Sequence, residues 1–126
     1  VLGAILLDAV KEIFVVGADW KFRALVRAEL RERGYGARGC KTLEEAQAAL
    51  ASHPQPSAAL VFDATGQSVV AVREQLTALA TRLPVILVLG AAEPAFTLPA
   101  GSQLLRRPMS IEQIVQAVAS SVGSAA

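Results

Sequence analysis

Cysteine and histidine are almost missing from this chain of 126 residues, which contains only Cys40 and His53. One cysteine excludes an intrachain disulfide, and a structural zinc site needs about four cysteine or histidine ligands. A single histidine among prolines offers no base–nucleophile pair. Cys40 is therefore expected to be a small buried thiol in a protein of the reducing cytoplasm.

The chain also lacks a strong net charge and a long hydrophobic run. Its formal charge is +1, and its arginines alternate with acids, so we expect them on solvated helix faces. The apolar segment from Val1 to Leu7 ends at Asp8, far short of the roughly 20 residues that cross a bilayer. No basic stretch precedes this segment, which argues against a signal peptide. We expect no contact with membranes or nucleic acid.

Length and composition fit a single domain, with 53% hydrophobic residues available for a core. We assign the core to residues 12–122 and treat residues 1–11 as an extra N-terminal segment. That segment either covers part of the domain or connects to an upstream domain or a dimer partner. The sequence does not begin with Met, which is compatible with a fragment of a longer protein but does not decide the question.

Strand-like and helix-like segments alternate along the core. Asp19 and Gly34 are typical of the start and the end of a first helix, whose apolar face is predicted to contain Phe22, Leu25, Val26 and Leu30. Two capping boxes, Thr42 with Glu45 and Ser110 with Gln113, predict two further helix starts. The predicted strands are Glu12–Val16, Tyr35–Cys40, Ala58–Phe62, Val85–Leu89 and Gln103–Arg106, and the other helices are 42–50, 68–81 and 110–122.

This alternation predicts an α/β fold with a doubly wound, five-stranded parallel sheet of the flavodoxin-like type. The central strands are apolar throughout, as in sheets covered on both faces. Between Leu89 and Gln103, Pro94 and Pro99 each remove an amide donor and disfavour helix before them. The fourth helix is therefore predicted to be short or missing.

Asp63 ends the apolar run Leu60-Val61-Phe62, at the sheet edge where open α/β folds place their chemistry. Residues 12–122 resemble the receiver domain of bacterial two-component response regulators. The resemblance rests on this strand, on Leu83-Pro84-Val85 and on Arg107-Pro108. The resemblance implies that Asp63 is the candidate phosphoryl acceptor and that the Arg107–Pro108 peptide is cis.

The sequence departs from the receiver pattern at most of the remaining site positions. Gly17 and Ala18 stand where the family has two acids that bind magnesium, and Leu89 replaces a threonine or serine. Arg107 replaces a lysine, and Leu104 replaces an aromatic switch residue. The predicted pocket residues are Gly17, Ala18, Asp19, Asp63, Leu89, Arg107 and Pro108.

Magnesium prefers several oxygen ligands, and only Asp19 and Asp63 are weak candidates to supply them. Asp19 is more easily explained as a helix cap. We therefore predict no cofactor, and we expect Arg107 to form an ion pair with Asp63. In the alternative arrangement, Arg107 points to solvent and Asp63 only caps its strand.

The function predicted from these residues is an atypical receiver-like signalling domain that is not an enzyme. It would act through a protein partner or another domain of a larger regulator, in signal transduction or transcription regulation, and it could form a homodimer. Its contacts would involve the last helix, strand five and residues 90–102. One alternative is a receiver that still accepts phosphate on Asp63, with magnesium held near Asp19. Another is a flavodoxin-like binder of a small ligand near Gly17 and Gly90.

Trp20, at the start of the first helix, has two interpretations. It is either an exposed contact anchor at the mouth of the pocket or a side chain that packs on a neighbouring loop.

Overall fold

The computed structural model describes residues 11–52, 57–93 and 97–123. Within them, five strands form one parallel sheet in the order β2-β1-β3-β4-β5. This is the strand order of flavodoxin-like folds, so the predicted fold class is confirmed. The elements are β1 (Glu12–Val16), α1 (Trp20–Glu32), β2 (Gly36–Cys40), α2 (Leu43–Ser52), β3 (Ser57–Asp63), α3 (Val69–Ala80), β4 (Val85–Leu89), β5 (Gln103–Arg106) and α4 (Ile111–Gly123).

The sheet is covered on both faces, which explains why β1, β3 and β4 are apolar without alternation. One face packs against α1 and α4, through side chains such as Val26, Leu30 and Val118. The other packs against α2 and α3, through Leu43 and Leu76 among others. Every residue of β4 is buried. The sheet therefore separates two apolar layers.

Helix α1 begins and ends as the sequence predicts, but one predicted core residue is wrong. The Asp19 side chain accepts from the Lys21 amide, and Gly34 has a positive φ of 91° just after the helix. Leu25 is 58% exposed, because one residue step turns the helix by about 100° away from buried Val26. The stripe that packs on the sheet contains Phe22, Val26 and Leu30.

Both predicted capping interactions form, although one is displaced by a residue. At α4, the Ser110 amide donates to Gln113 Oε1 and the Gln113 amide donates to Ser110 Oγ. At α2, the Glu45 amide donates to Thr42 Oγ1, but the Glu45 carboxylate accepts from the amide of Lys41. Side chains thus satisfy free amides at both helix starts.

No helix occurs between β4 and β5 in the described residues, 90–93 and 97–102, as the prolines predict. Instead, the start of this connection folds around Arg106. Its Nη1 donates to the carbonyl oxygens of Gly90 at 3.2 Å, Ala91 at 3.4 Å and Glu93 at 2.6 Å. The Glu93 carboxylate accepts from the Gly90 amide at 2.6 Å.

Some predictions fall on residues outside the described ranges. They concern the N-terminal residues 1–10, the loop 53–56 that contains His53, and Pro94. In the described part of the chain, no helix has both the length and the apolar character needed to span a membrane.

The strand order reverses between β1 and β3, because the chain builds β2 on one side of β1 and then crosses to the other. Ligand sites in such sheets lie beyond the carboxyl ends of the strands at this reversal. Gly17 and Ala18 follow β1 directly, and Asp63 is the last residue of β3. The topology therefore brings these predicted residues to the same crevice.

Candidate functional site

Asp63 lies at the carboxyl end of β3, paired in register with Val88 of β4, and only 6% of it is exposed. Both carboxylate oxygens have partners. Oδ1 accepts from the Thr65 amide at 3.0 Å, and Oδ2 lies 2.9 Å from Arg107 Nη2. The acid is thus hydrogen-bonded on both oxygens, as a buried carboxylate requires.

The ion pair predicted between Arg107 and Asp63 is present. The Arg107 amide donates to the carbonyl oxygen of Leu89 at 2.9 Å, which fixes the residue beside the end of β4. Its Nε also donates to Thr65 Oγ1 at 2.9 Å. The guanidinium therefore joins the loops after β3 and β5. The Arg107–Pro108 peptide is cis, as the resemblance implies.

Two further residues complete this arrangement. The guanidinium carbon of Arg107 lies 5.6 Å from the centre of the Phe22 ring, within the range of a cation–π contact. Thr65 contributes both its amide and its hydroxyl. The sequence analysis placed Phe22 only in the core and missed Thr65. The spacing Asp63-x-Thr65, typical of an Asx turn, was a usable signal for the second.

The loop after β1 approaches Asp63 closely because Gly17 has no side chain. A Cβ at this position would lie 3.2 Å from the Cβ of Asp63. The Gly17 amide donates to the Cys40 carbonyl, and its carbonyl oxygen accepts from Arg23 Nη1 at 2.6 Å. The crevice is thus too tight at residue 17 for a carboxylate unless Asp63 shifts.

A cleft of about 310 Å³ opens beside the ion pair, lined by Ala18, Asp19, Asp63, Thr65 and Arg107. Four of the predicted pocket residues belong to this set. The other three do not line the cleft, for different reasons. Gly17 is buried beneath it, Leu89 packs its side chain in the core under α2 and α3, and Pro108 is exposed beyond it.

These residues do not fit a magnesium ion. Gly17 and Ala18 offer no side-chain oxygen, and Asp63 already binds Thr65 and Arg107 through its two oxygens. Asp19 Oδ1 accepts from the Lys21 amide at 3.0 Å, so it acts as the predicted helix cap. The described residues hold no group of three or more histidine, cysteine or acidic side chains close enough to share a metal.

The surroundings of Gly90 also differ from an open ligand site. The Glu93 carboxylate binds the Gly90 amide, and a Cβ at Gly90 would lie 2.7 Å from Glu93 Oε1. The Glu93 side chain therefore occupies the space next to Gly90, one of the two glycines near which the alternative prediction places a small ligand.

Cys40 and Trp20 lie near the crevice but do not line the cleft. Cys40 is buried as predicted, and burial, together with the nearby Glu45 charge, raises the pKa of its thiol. This keeps the thiol protonated and poorly nucleophilic. Trp20 is 64% exposed, so it does not pack into a neighbouring loop.

No protein-family model matches the sequence, and no curated protein matches it. A response regulator receiver protein from Burkholderia phymatum matches in structure with a TM-score of 0.73 and 22% identity, over 90% of this chain and 95% of that one. A response regulator receiver domain from Clostridium thermocellum matches with a TM-score of 0.69 and 13% identity, over 91% and 96% of the two chains.

The chain has the receiver-domain fold. NtrX from Brucella abortus contains the same fold as part of a longer protein. It matches with a TM-score of 0.68 and 16% identity over 91% of this chain but only 27% of its own length.

Proposed function

We propose that this chain is an atypical receiver-like signalling domain that takes no phosphoryl group by the magnesium-dependent route and acts through protein contacts. The observation that carries the proposal is the ion pair between Asp63 and Arg107. The Arg107 guanidinium occupies the position beside Asp63 where a cation would otherwise neutralise a transferred phosphoryl group. The domain therefore stays in one state without phosphate or metal.

The contacts of Asp63 explain why it would be a poor acceptor. Phosphoryl transfer depends on a positioned nucleophile and on groups that neutralise charge on the equatorial oxygens. Oδ2 of Asp63 faces Arg107, and Oδ1 faces the Thr65 amide. Leu89 has no hydroxyl to donate, and its side chain points into the core.

A domain that stays in one conformation can signal only by binding other proteins or domains. We assign this role to α4, β5 and residues 90–102, with a protein partner, another domain of a larger regulator or a second copy of the chain as the occupant. NtrX, in which the matched region is about a quarter of the chain, supports the second of these. We propose no enzymatic activity, no cofactor and no nucleic-acid binding by this domain.

The test is amide NMR of the ¹⁵N-labelled chain during titration with beryllofluoride and magnesium, which together mimic a bound phosphoryl group. We expect no saturable shifts at Asp63, Thr65 and the loop after β5, since the oxygen ligands for magnesium are missing. Saturable shifts around Asp63 that vanish in Asp63→Asn would overturn the proposal.

The variant Arg107→Lys separates two reasons for expecting no NMR shifts, namely the ion pair of Arg107 with Asp63 and the missing oxygen ligands for magnesium. This variant restores the family's lysine but leaves Gly17 and Ala18 unchanged. If this variant also shows no saturable shifts, the missing oxygen ligands suffice to exclude the metal. If it responds, Arg107 is the group that blocks a competent acceptor.

Phosphate acceptance by Asp63 remains the second candidate, because the cleft reaches its carboxylate. Incubation with acetyl phosphate and magnesium, followed by intact-protein mass spectrometry, tests it directly. A mass increase of one phosphoryl group in the native chain, absent in Asp63→Asn, would favour this second function over the first.

A further inference from the structure

Three arginines recur every four residues on one flank of α1, namely Arg23, Arg27 and Arg31. We call them the arginine row. The sequence predicts a solvated helix face for these arginines. Arg31 is exposed, Arg23 and Arg27 are half-buried, and the row lies along β2, the strand at one edge of the described sheet. Ala37 and Gly39 of β2 face the same side, since Ala37 packs in the layer under α1.

Each arginine of the row contacts β2 or the residue that follows β1. Arg23 Nη1 donates to the Gly17 carbonyl oxygen at 2.6 Å, and Arg31 Nη2 donates to the Ala37 carbonyl oxygen at 3.1 Å. Arg27 lies across Gly39, where a Cβ would come within 3.2 Å of its Cδ and 3.3 Å of its Nη1. The guanidiniums are thus held against the edge of the sheet.

Gly39 shows that the strand accommodates the row. Glycine weakens a strand and often marks a place where another group approaches the backbone closely. Here the approaching group is Arg27, and a Cβ at position 39 would make this side chain shift by a few tenths of an ångström. The sequence of β2, Gly-Ala-Arg-Gly-Cys, has a low strand propensity, and its second glycine leaves room for the Arg27 side chain.

The row has no carboxylate partner among the described residues. The ion pairs found there use Arg33, which binds Glu29 and Glu112, and Arg107. Arg27 Nε is buried without a hydrogen-bond partner. Arg23 and Arg31 each use a nitrogen on a carbonyl, which leaves other N–H donors of the fork free to bind a carboxylate or a phosphate.

The spacing of the row selects among such ligands. Four residues of helix rise about 6 Å, so the Cα atoms of the three arginines repeat at about that distance along the edge. Alternate side chains of an extended peptide repeat at about 6.6 Å. Carboxylates at every second position of an extended segment can therefore meet successive arginines. The net charge of +1 gives no long-range field that would favour a polyanion such as nucleic acid.

We propose that the arginine row is a binding site for an acidic, extended segment of a partner protein, which lies along α1 beside the edge of β2. This surface is separate from the cleft at Asp63, and its use does not depend on whether Asp63 accepts phosphate. Fixed, planar guanidiniums recognise carboxylates through paired hydrogen bonds, which a flexible lysine does not reproduce.

The test is fluorescence anisotropy of a fluorescein-labelled peptide of alternating glutamate and threonine, titrated with the full chain at low ionic strength. We expect saturable binding that Arg27→Gln weakens about tenfold, the loss of one charge-assisted contact. The matched control is Arg82→Gln, an exposed arginine after α3 whose loss of charge should change the affinity less than about twofold.

Two charge-conserving variants test the geometry rather than the net charge. Gly39→Ala should weaken binding because its Cβ, 3.2 Å from Arg27 Cδ, pushes that side chain out of its position. Arg27→Lys should weaken binding because the fork is lost. Circular dichroism of each variant confirms that it is folded. Undiminished affinity in both folded variants would overturn the proposal.

Three other outcomes would also overturn it. The peptide could fail to bind saturably, or Arg82→Gln could lose as much affinity as Arg27→Gln, which would indicate nonspecific attraction. An oligothymidylate could bind more tightly than the peptide with the same dependence on Arg27, and the row would then bind nucleic acid.

Discussion

Arg107 is the residue on which the candidate site depends, because its side chain contacts three others at once. It pairs with Asp63, donates to Thr65 and stacks on the ring of Phe22. The guanidinium side chain is 37% exposed while Asp63 is almost fully buried. Hydrogen bonds offset part of the cost of desolvating the acid, and the aromatic face does the same for the guanidinium.

Replacing Asp63 by Asn should destabilise the fold by about 1 to 3 kcal/mol. An amide has one oxygen, so its NH₂ group must face either the Thr65 amide or Arg107, both of which are donors. Urea unfolding followed by circular dichroism measures the change.

The matched control for this prediction is Glu112→Gln, which removes an ion pair with Arg33 from a side chain that is 69% exposed. Its effect on the free energy of unfolding should lie between 0 and about 1 kcal/mol. If Asp63→Asn is no worse than this control, the buried pair contributes no more to stability than an exposed surface pair does.

At the scale of elements, the start of the connection between β4 and β5, residues 90–93, is a turn that a side chain holds in place. Arg106, the last residue of β5, donates to three carbonyl oxygens of residues 90–93. The Gly90 carbonyl accepts from the Glu93 amide, and the guanidinium supplies a further donor to it and a donor to the carbonyls of Ala91 and Glu93. Neighbouring arginines thus fix neighbouring loops, Arg106 the one after β4 and Arg107 the one after β3.

Arg106→Gln should therefore loosen the turn after β4 and leave the rest of the fold intact. We expect faster hydrogen exchange at the amides of Gly90 and Glu93, with a loss of about 1 kcal/mol in global stability. Exchange measured by NMR checks this, with Arg82→Gln as the control. Unchanged exchange in Arg106→Gln would show that Glu93 alone holds the turn.

The element boundaries could be predicted from the sequence where apolar runs end at strong local signals. Glu12–Val16 and Val85–Leu89 agree with the structure, and Asp19 and Ser110 begin helices as expected. These signals are local, since a capping side chain bonds amides a few residues away.

The missed features depend on which elements meet in three dimensions. Leu25 has the right residue type for a core, but only the packing direction of α1 decides that it faces solvent. Arg23, Arg27 and Arg31 look like ordinary surface residues until β2 is placed beside them. The pair Asp63–Arg107 was predictable because the resemblance aligned both positions with the same crevice.

At the scale of the whole molecule, one sheet serves two cores. Leu76 of α3 lies in one layer and Ile114 of α4 in the other, and both are fully buried. The inner strands β1, β3 and β4 contribute alternate side chains to each layer, so neither layer can lose its packing without exposing the sheet that supports the other. Unfolding should therefore be a single cooperative transition.

Leu76→Ala and Ile114→Ala should each destabilise the molecule by about 2 to 5 kcal/mol, because each leaves a cavity in a closed layer. Urea unfolding should keep the same steepness in both variants. Leu25→Ala, at a side chain that is 58% exposed, is the control and should change stability by less than about 0.5 kcal/mol. Separate transitions for the two layers would contradict this prediction.

Trp20 gives the molecule a built-in optical signal. It is the only tryptophan, it is 64% exposed, and it directly follows Asp19 at the rim of the cleft. Its indole therefore emits from water rather than from a protein interior. A partner that covers this rim excludes water from the indole ring and shifts the emission maximum of Trp20 to shorter wavelength. Docking there can therefore be followed without attaching a dye.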